Sequence, residues 1–240
     1  MFLTLQNIQH QYNNEPVLQH VNLQLQANTT LGILGKSGCG KTTLLKIIAG
    51  IIPIQVGEII LQNNNINTTP PHLRNIVYMS QEALLFPHLN VFENIAFGLR
   101  IRKENNTQVQ QKVTALLTQL SLAAHAQKMP HQLSGGQKQR VNFGRALIIN
   151  PPLLLLDEPF GNLDTHTRAE MQLLFKEITS NYNMASIFVT HDVKEALLVA
   201  NDIGYMNNGH LKIYANQQAF IDDDITGAKN EMAFWKNVSC

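Results

Sequence analysis

The stretch Gly35-Lys36-Ser37-Gly38-Cys39-Gly40-Lys41-Thr42 matches the pattern G-x-x-x-x-G-K-[ST] of a phosphate-binding loop. A short apolar run of strand length, residues 30–34, precedes it, and a helical apolar pattern that Gly50 ends follows it. The three elements together predict an anion site, because backbone N–H groups point inward and the helix dipole favours phosphate. A glycine-rich turn that merely contains Lys-Thr is the alternative, and the flanking strand and helix argue against it.

The same loop predicts how a nucleotide and Mg²⁺ would be held. The Lys41 ammonium can reach the β- and γ-phosphates, and the Thr42 hydroxyl can hold Mg²⁺. The glycines let the backbone curl around phosphate oxygens without a Cβ clash. The residues expected to contact the nucleotide here are Gly35, Lys36, Ser37, Gly38, Cys39, Gly40, Lys41, Thr42 and Thr43.

Length and charge limit the class of protein. A chain of 240 residues predicts one large domain, or one domain with a sizeable insertion. A formal net charge of +1 with 15% charged residues gives no strong field for nucleic acid or an anionic membrane. No apolar run reaches transmembrane length and the N-terminus is no signal peptide, so we expect a cytosolic protein, or one that partners hold at a membrane. The two cysteines, Cys39 and Cys240, do not suggest a disulfide framework.

Apolar and polar residues alternate in two early segments, residues 2–10 and 17–25. This pattern predicts strands of a half-exposed antiparallel sheet, with Tyr12 in the turn between them. An aromatic residue in a turn usually packs locally, although near a nucleotide it could stack on adenine for about 1–3 kcal/mol.

The next part of the sequence passes from strand patterns to helical patterns. Residues 58–61 read as a further strand, and residues 76–79 as a buried strand that leads to Gln81, which could ligate Mg²⁺ or water at the strand end. From Leu84 to about Asn150 the signals are helical, which predicts a helical insertion or subdomain.

An apolar run at residues 153–156 ends in Asp157 and Glu158, which predicts a buried parallel strand with two carboxylates at its C-terminal edge. Ligands of open α/β sheets bind beyond that edge. Asp157 is therefore a candidate for holding Mg²⁺, directly or through water, and Glu158 for deprotonating the water that attacks a γ-phosphate. In the alternative interpretation the two acids only accept hydrogen bonds from backbone N–H groups.

Residues 185–190 predict a second buried strand, which ends at His191. A lone histidine is usually structural, but at this sheet edge His191 could hydrogen-bond a γ-phosphate. Asp192 and Glu195 predict an N-cap and its third-position partner for the next helix. Asn208-Gly209, between two apolar segments, predicts a hairpin.

The stretch Leu133-Ser134-Gly135-Gly136-Gln137 precedes a long helical pattern. Ser134 and Gln137 form the capping-box pattern S-x-x-Q, which is a purely structural interpretation. A cap does not need two glycines, however, and each costs about 1 kcal/mol inside a helix. Exposed backbone at a helix N-terminus favours a second anion site.

Taken together, these residues resemble the ATP-binding subunit of an ABC (ATP-binding cassette) transporter over about residues 2–214. The matching motifs are Walker A at residues 35–42, Walker B at 153–157 with Glu158 as the catalytic glutamate, the signature motif at 133–137, the Q-loop at Gln81, the D-loop at 161–164, the H-loop at His191 and the A-loop at Tyr12. The resemblance implies an α/β fold, with a P-loop NTPase core built on a mainly parallel sheet, an N-terminal antiparallel β-subdomain and a helical insertion subdomain. We therefore expect residues 1–240 to form a single ABC ATPase domain, with the helical subdomain inserted at about 84–150.

The family resemblance also implies a head-to-tail homodimer that hydrolyses ATP with Mg²⁺. Each ATP is expected between Walker A of one copy and the signature loop of the other, which accounts for a second anion site far along the chain. The further nucleotide-binding residues implied are Tyr12, Ser134, Gly135, Gly136, Gln137 and Asp164, with Glu158, His191 and Gln81 in catalysis and Thr42, Gln81 and Asp157 at Mg²⁺.

Residues 85–99 look like importer cassettes for ferric iron, polyamines, thiamine and related solutes, and residues 157–164 fit the same group. This similarity implies integral-membrane permease subunits, which would dock around Gln81 and residues 84–99, and indirectly an extracytoplasmic solute-binding protein. It also implies a peripheral position at the cytoplasmic face of the inner membrane and no nucleic acid partner. Many such cassettes carry a C-terminal regulatory barrel, and at 240 residues we expect this chain to lack one.

Three departures from the family pattern stand out. Thr42 replaces the more usual Ser, the D-loop reads Gly161-Asn162-Leu163-Asp164 where Ser-Ala-Leu-Asp is more common, and Asn142 and Gly144 occupy positions that usually carry small apolar residues. The last two bear on dimer closure rather than on the family. The alternative function is a soluble ABC-type ATPase acting on nucleic acid or ribosomes, which usually carries tandem cassettes and basic faces. A P-loop kinase, the third class, would not need residues 133–137.

Overall fold

The computed structural model describes residues 1–182 and 184–238, with side chains described as far as residue 234. Cys240 lies outside the described residues, and Cys39 is a free thiol. The strands are β1 Leu3–Tyr12, β2 Glu15–Leu25, β3 Thr30–Leu34, β4 Val56–Leu61, β5 Asn64–Asn65, β6 Ile76–Met79, β7 Leu153–Asp157, β8 Ala185–Thr190, β9 Asp202–Asn207 and β10 His210–Ile213. The α-helices are α1 Lys41–Ala49, α2 Val91–Ile101, α3 Asn106–Gln119, α4 Gly135–Leu147, α5 Thr165–Asn181, α6 Val193–Val199, α7 Gln217–Asp222 and α8 Ala228–Val238.

The larger sheet has the strand order β10-β9-β3-β8-β7-β6, in which only the pairing of β10 with β9 is antiparallel. Every residue of β3, β7 and β8 is buried, as continuous apolar runs predict. Strand β6 lies at the edge of the sheet and is only partly buried, so the prediction of a buried strand there was wrong in that respect. Because β3, β6, β7 and β8 run in one direction, the residues that follow them meet at one edge of the sheet.

The smaller sheet has the order β2-β1-β4-β5, and all of its pairings are antiparallel. Tyr12 is the last residue of β1, where it pairs with Glu15, and the prediction that it lies in the turn was wrong. The turn consists of Asn13 and Asn14, whose φ angles are 48° and 66°. Two left-handed residues match the type I′ hairpin turn, and asparagine tolerates that conformation better than most residues do.

Helix α1 lies between the two sheets. One hydrophobic cluster joins the inner face of the smaller sheet, the apolar residues of α1 and one face of the larger sheet; it includes Leu3, Leu5, Ile59, Leu44, Ile48, Ile33 and Leu155. A second cluster covers the other face of the larger sheet with residues from α2 to α6. The phosphate-binding loop is therefore held between two packed layers.

The C-terminal end of α1 is closed by a buried cation. Gly50 takes a left-handed φ of 78°, and Arg74, only 6% exposed, lies against it. The Arg74 Nη1 donates to the carbonyl oxygens of Ile47 at 3.0 Å and Ile48 at 2.8 Å. Arg74 thus satisfies carbonyl groups that a helix end leaves without intrahelical partners.

The helical region begins at Val91, later than the predicted Leu84, because residues 80–90 form an irregular loop. Asn94 on α2 is fully buried and organises this loop. Its Nδ2 donates to the carbonyl oxygens of Phe86, Leu89 and Asn90, and its Oδ1 accepts the Phe86 N–H. The loop leaves Leu84 64% exposed.

The C-terminal region contains structure that the sequence did not indicate. The hairpin of β9 and β10 turns at Asn208-Gly209 as predicted, and α7 and α8 follow it. Within residues 1–182 and 184–238, no helix combines the length and the apolar content that a membrane crossing requires.

Candidate functional site

The phosphate-binding loop connects β3 to α1, and its glycines are required sterically. A Cβ at Gly35 would lie 2.4 Å from the Met206 carbonyl oxygen, and one at Gly40 2.7 Å from the Val17 carbonyl oxygen. Gly40 also takes a φ of 107° and is the N-cap of α1. Since glycine has no side chain to bond the first N–H groups of the helix, those donors remain for an anion.

Lys41 begins α1 and is only 5% exposed. Its Nζ donates to the carbonyl oxygens of Gly35 at 2.6 Å and Lys36 at 3.0 Å, which holds the loop closed on itself. A bound phosphate group would accept hydrogen bonds from the same ammonium in place of these carbonyl oxygens. The cavity beside it measures about 260 Å³ and is lined by Val17, Ser37, Gly38, Gly40, Lys41, Thr42, Thr43 and Glu158.

The Asp157 carboxylate, at the end of β7, accepts hydrogen bonds from two hydroxyl groups. The Thr42 Oγ1 donates to its Oδ1 at 2.9 Å, and the Tyr78 hydroxyl donates to its Oδ2 at 2.9 Å. Burial and this carboxylate raise the pKa of Tyr78, so its hydroxyl stays protonated and remains a donor. Sequence reasoning missed Tyr78, because no motif singles it out within β6.

The oxygen atoms of Thr42 and Asp157 fit a magnesium ion. Mg²⁺ prefers hard oxygen ligands, usually one or two carboxylates with substrate phosphates and water. A hydroxyl and a carboxylate oxygen 2.9 Å apart beside the phosphate-binding loop supply that donor set. Gln81, the third predicted ligand, lies beside Glu158, with its Nε2 3.4 Å from the Glu158 Oε2.

Glu158 follows β7 in a left-handed conformation, with a φ of 45°. Such a conformation costs a non-glycine residue about 1–3 kcal/mol and is typical of functional sites. The Glu158 N–H donates to the Val189 carbonyl oxygen on β8 at 3.1 Å. The His191 Nδ1 lies 3.2 Å from the Glu158 Oε2, so the structure brings Glu158, His191 and Gln81 together.

The turn after β8 differs from the predicted capping pair. Asp192 does cap α6, and its Oδ1 accepts the N–H groups of Lys194 and Glu195. The Glu195 side chain does not return to the Asp192 backbone but is buried, with bonds to Thr190 and Gln172. The prediction of Glu195 as the cap partner was therefore wrong.

The signature residues lie at the start of α4. Ser134 and Gln137 form the capping box, since the Ser134 Oγ accepts the Gln137 N–H and the Gln137 Oε1 accepts the Ser134 N–H. A Cβ at Gly136 would lie 2.4 Å from the Thr167 Cγ2, whereas one at Gly135 meets no atom of the described residues within 4 Å. Gly136 thus allows close packing of α4 against α5, and Gly135 is open.

The predicted nucleotide contacts in the signature motif, at Asp164 and at Tyr12 do not line the cavity at Lys41 within one chain. Ser134, Gly136 and Gln137 line a different cavity of about 550 Å³, together with Thr167 on α5. Asp164 caps α5 by accepting the Thr167 N–H, and that hydrogen bond lowers the pKa of the Asp164 carboxyl. Tyr12 is 45% exposed, with its ring edge-on to the ring of His10 at 4.7 Å.

Comparison with known proteins gives a consistent result. A family model described as ABC transporter matches residues 18–161. The spermidine/putrescine import ATP-binding protein PotA of Acetivibrio thermocellus is 42% identical over 207 residues, covering 86% of this chain and 59% of that protein. The sulfate/thiosulfate import ATP-binding protein CysA of Neisseria meningitidis serogroup A is 40% identical over 223 residues, covering 91% of this chain and 62% of that protein.

The solved structure of the ATP-binding cassette MJ0796, a dimer in a post-hydrolysis state bound to ADP and phosphate, has a TM-score of 0.78 to this chain. Its sequence is 29% identical, and the match covers 88% of this chain and 97% of that one. The chain spans about three fifths of the length of the curated relatives it matches. From the family match, the fold and the arrangement of residues 35–42, 153–158 and 133–137, we conclude that this chain belongs to the ABC transporter family.

Proposed function

We propose that this chain binds and hydrolyses ATP, and that two copies of it energise the import of a solute. The observation that carries the proposal is that the phosphate-binding loop and the residues that follow β7 and β8 lie together around one cavity. The phosphate-binding loop and Glu158 line the cavity, Asp157 holds the Thr42 hydroxyl, and His191 lies against Glu158.

Nucleotide binding follows from the loop. The Lys41 ammonium would leave two carbonyl oxygens for the phosphates, and the N–H groups of the first turn of α1 would donate to them. Bound Mg²⁺ would withdraw charge from the phosphate oxygens, and Thr42 and Asp157 are the residues to hold it. Tyr78, which donates to the other Asp157 oxygen, fixes the orientation of that carboxylate.

Hydrolysis requires a base and an orienting partner. The Glu158 carboxylate is the group placed to accept a proton from the attacking water, because it lines the cavity and is 20% exposed at its side chain. His191 and Gln81 contact the same carboxylate oxygen, so they can hold Glu158 or the water in position.

A second copy of the chain completes the site in this proposal. The signature residues line a cavity other than that at Lys41, so another copy must present them to the nucleotide. Dimerisation of the related cassette MJ0796, which was solved with ADP and phosphate, supports this arrangement. The open space at Gly135 is suitable for the phosphates of a partner's ATP.

The names of the two import ATP-binding relatives support a role in transport. We propose integral-membrane permease subunits as partners, a solute-binding protein as an indirect one, and a peripheral position at the cytoplasmic face of the membrane. The exposed Leu84 and the loop that Asn94 holds form the proposed docking surface for the permease. The single-domain organisation over residues 1–240, with an inserted helical subdomain whose first helix begins at Val91, remains part of the proposal.

The experiment that tests the proposal replaces Glu158 by Gln. This change keeps the size of the side chain and removes the base, so phosphate release should fall about 10²–10⁴-fold while Mg-ATP binding persists. Closure without hydrolysis should then give an ATP-dependent dimer on size-exclusion chromatography. Asp157→Asn should instead lose Mg²⁺-dependent binding, and Glu58→Gln, an exposed position on β4, serves as the matched control.

Each outcome bears on a separate part of the proposal. Hydrolysis by Glu158→Gln at the parental rate would remove Glu158 from catalysis. An inactive Glu158→Gln variant that stays monomeric at saturating Mg-ATP would contradict the proposal that two copies close on the nucleotide by themselves.

A further inference from the structure

Glu195, on α6, is a buried carboxylate outside the nucleotide cavity. It is 4% exposed, and its two oxygens have separate partners on two other elements. The Gln172 Nε2 on α5 donates to Oε1 at 3.2 Å, and the Thr190 Oγ1 at the end of β8 donates to Oε2 at 2.6 Å.

The Thr190 hydroxyl links the Glu195 carboxylate to the turn that follows β8. Its Oγ1 accepts the Asp192 N–H at 3.0 Å, and it donates its own proton to the Glu195 Oε2. Glu195 therefore holds the Thr190 hydroxyl in one orientation, and Thr190 in turn holds the backbone of Asp192. The residue between the two is His191.

Helix capping does not account for this carboxylate. Asp192 already caps α6, and the Glu195 side chain takes no part in the cap. Burial raises the pKa of the Glu195 carboxyl, which reflects the cost of keeping a charge inside the protein. An apolar side chain of similar size would avoid that cost and leave the cap intact.

The position of Thr190 connects its hydrogen bonds with Glu195 and Asp192 to the residues around Glu158. Its neighbour Val189 accepts the Glu158 N–H, and its other neighbour, His191, has its Nδ1 3.2 Å from the Glu158 carboxylate. A shift of the Thr190–Asp192 turn would therefore move the His191 ring against Glu158. Gln172 lies on α5, the helix that packs Thr167 against Gly136 of the signature loop.

We propose that Glu195 is a positioning residue for the hydrolytic step: through Thr190 it holds the turn that carries His191, and through Gln172 it ties that turn to α5. This inference rests on the proposed ATPase function. Glu195 does not touch the nucleotide cavity, so it acts on the rate of hydrolysis through His191 and not on ATP binding.

The test measures kcat and KM for Mg-ATP in Glu195→Ala and Glu195→Gln. The alanine variant should lose about ten- to a hundredfold in kcat, the range expected when a reacting group is misplaced, with KM changed by less than about twofold. Glutamine can still accept the Thr190 hydroxyl, so Glu195→Gln should keep most of the parental kcat.

A double-mutant cycle separates positioning from a general loss of stability. If Glu195 acts through His191, then adding Glu195→Ala to His191→Ala should lower kcat by less than about twofold further. Independent losses that multiply in the double variant would overturn the proposal, as would a folded Glu195→Ala with parental kcat.

Thr190→Val provides a second measurement if Glu195→Ala fails to fold. It keeps the volume of the side chain and removes the hydroxyl, so it should reproduce the loss of kcat. Thr179→Val is the matched control, because among the residues that the structure describes this buried hydroxyl donates only to carbonyl oxygens of α5. Equal losses of kcat in the two threonine variants would overturn the proposal. Absence of hydrolysis in the parent would refute the ATPase function itself, which distinguishes the two failures.

Discussion

Gly136→Ala should destabilise the protein, whereas the neighbouring Gly135→Ala should not. Both glycines lie in the first turn of α4, so alanine gains up to about 1 kcal/mol of helix propensity at either position. At Gly136 the new Cβ would lie 2.4 Å from the Thr167 Cγ2, about 1 Å closer than ordinary van der Waals contact. Overpacking of this kind costs about 1–3 kcal/mol. Gly136→Ala should therefore be about 1–3 kcal/mol less stable than Gly135→Ala, where the space is open.

Urea denaturation of the two variants and of the parent measures this difference. Thr167→Ser removes the Cγ2 atom that the new methyl group meets, so Gly136→Ala combined with Thr167→Ser should recover most of the lost free energy of unfolding. Equal stability of the two alanine variants would refute the reasoning. A double variant with no recovery would show that another contact, and not the approach of α4 to α5, requires Gly136.

The remaining predictions concern function and pH. Gly135→Asp should leave ATP binding to the monomer intact and lower phosphate release, because its carboxylate has room in its own chain and would face a partner's phosphates; loss of monomer binding would contradict action between copies. Burial lowers the pKa of His10 below its ordinary 6.5, so the unfolded chain binds the proton first and the free energy of unfolding should fall as pH drops through that value toward the lower pKa of the folded protein. Denaturation of His10→Leu over the same pH range should show a smaller decrease. Leu84→Ser should weaken co-purification with the proposed permease subunits without changing ATP hydrolysis by the isolated subunit. Leu73→Ser, at the other end of β6 and equally exposed, should change neither, and equal co-purification of both variants would exclude Leu84 from docking.

The strands of the larger sheet could be predicted closely from the sequence, because buried parallel strands are continuous apolar runs. Residues 30–34, 76–79 and 185–190 have the predicted bounds, and β7 begins at Leu153 as predicted. The phosphate-binding loop and the hairpin at Asn208-Gly209 were equally readable, since both depend on glycine at a required position.

Tertiary packing explains what the sequence did not reveal. Glu195 has the spacing of a cap partner, but the bonds to Gln172 and Thr190 come from distant elements and place it inside. Tyr78 becomes part of the site only because β6 lies beside β7 in register. The predicted strands end at residue 10 and resume at residue 17, which places Tyr12 in the predicted turn. The structure confines that turn to Asn13 and Asn14, whose backbone is left-handed.

Arg74 changes the electrostatic character of the helix that carries Lys41. An isolated helix presents equal and opposite partial charges at its two ends, and their fields largely cancel at a distance. The buried guanidinium carries a full positive charge, which more than offsets the partial negative charge at the carbonyl end of α1. At long range the helix and Arg74 together therefore act more like a single positive charge than like a dipole. The potential of a single charge falls off as the inverse of distance, and that of a dipole as the inverse square. The electrostatic attraction between the N-terminal end of α1 and an approaching polyphosphate therefore extends further than it would for the same helix without this cation.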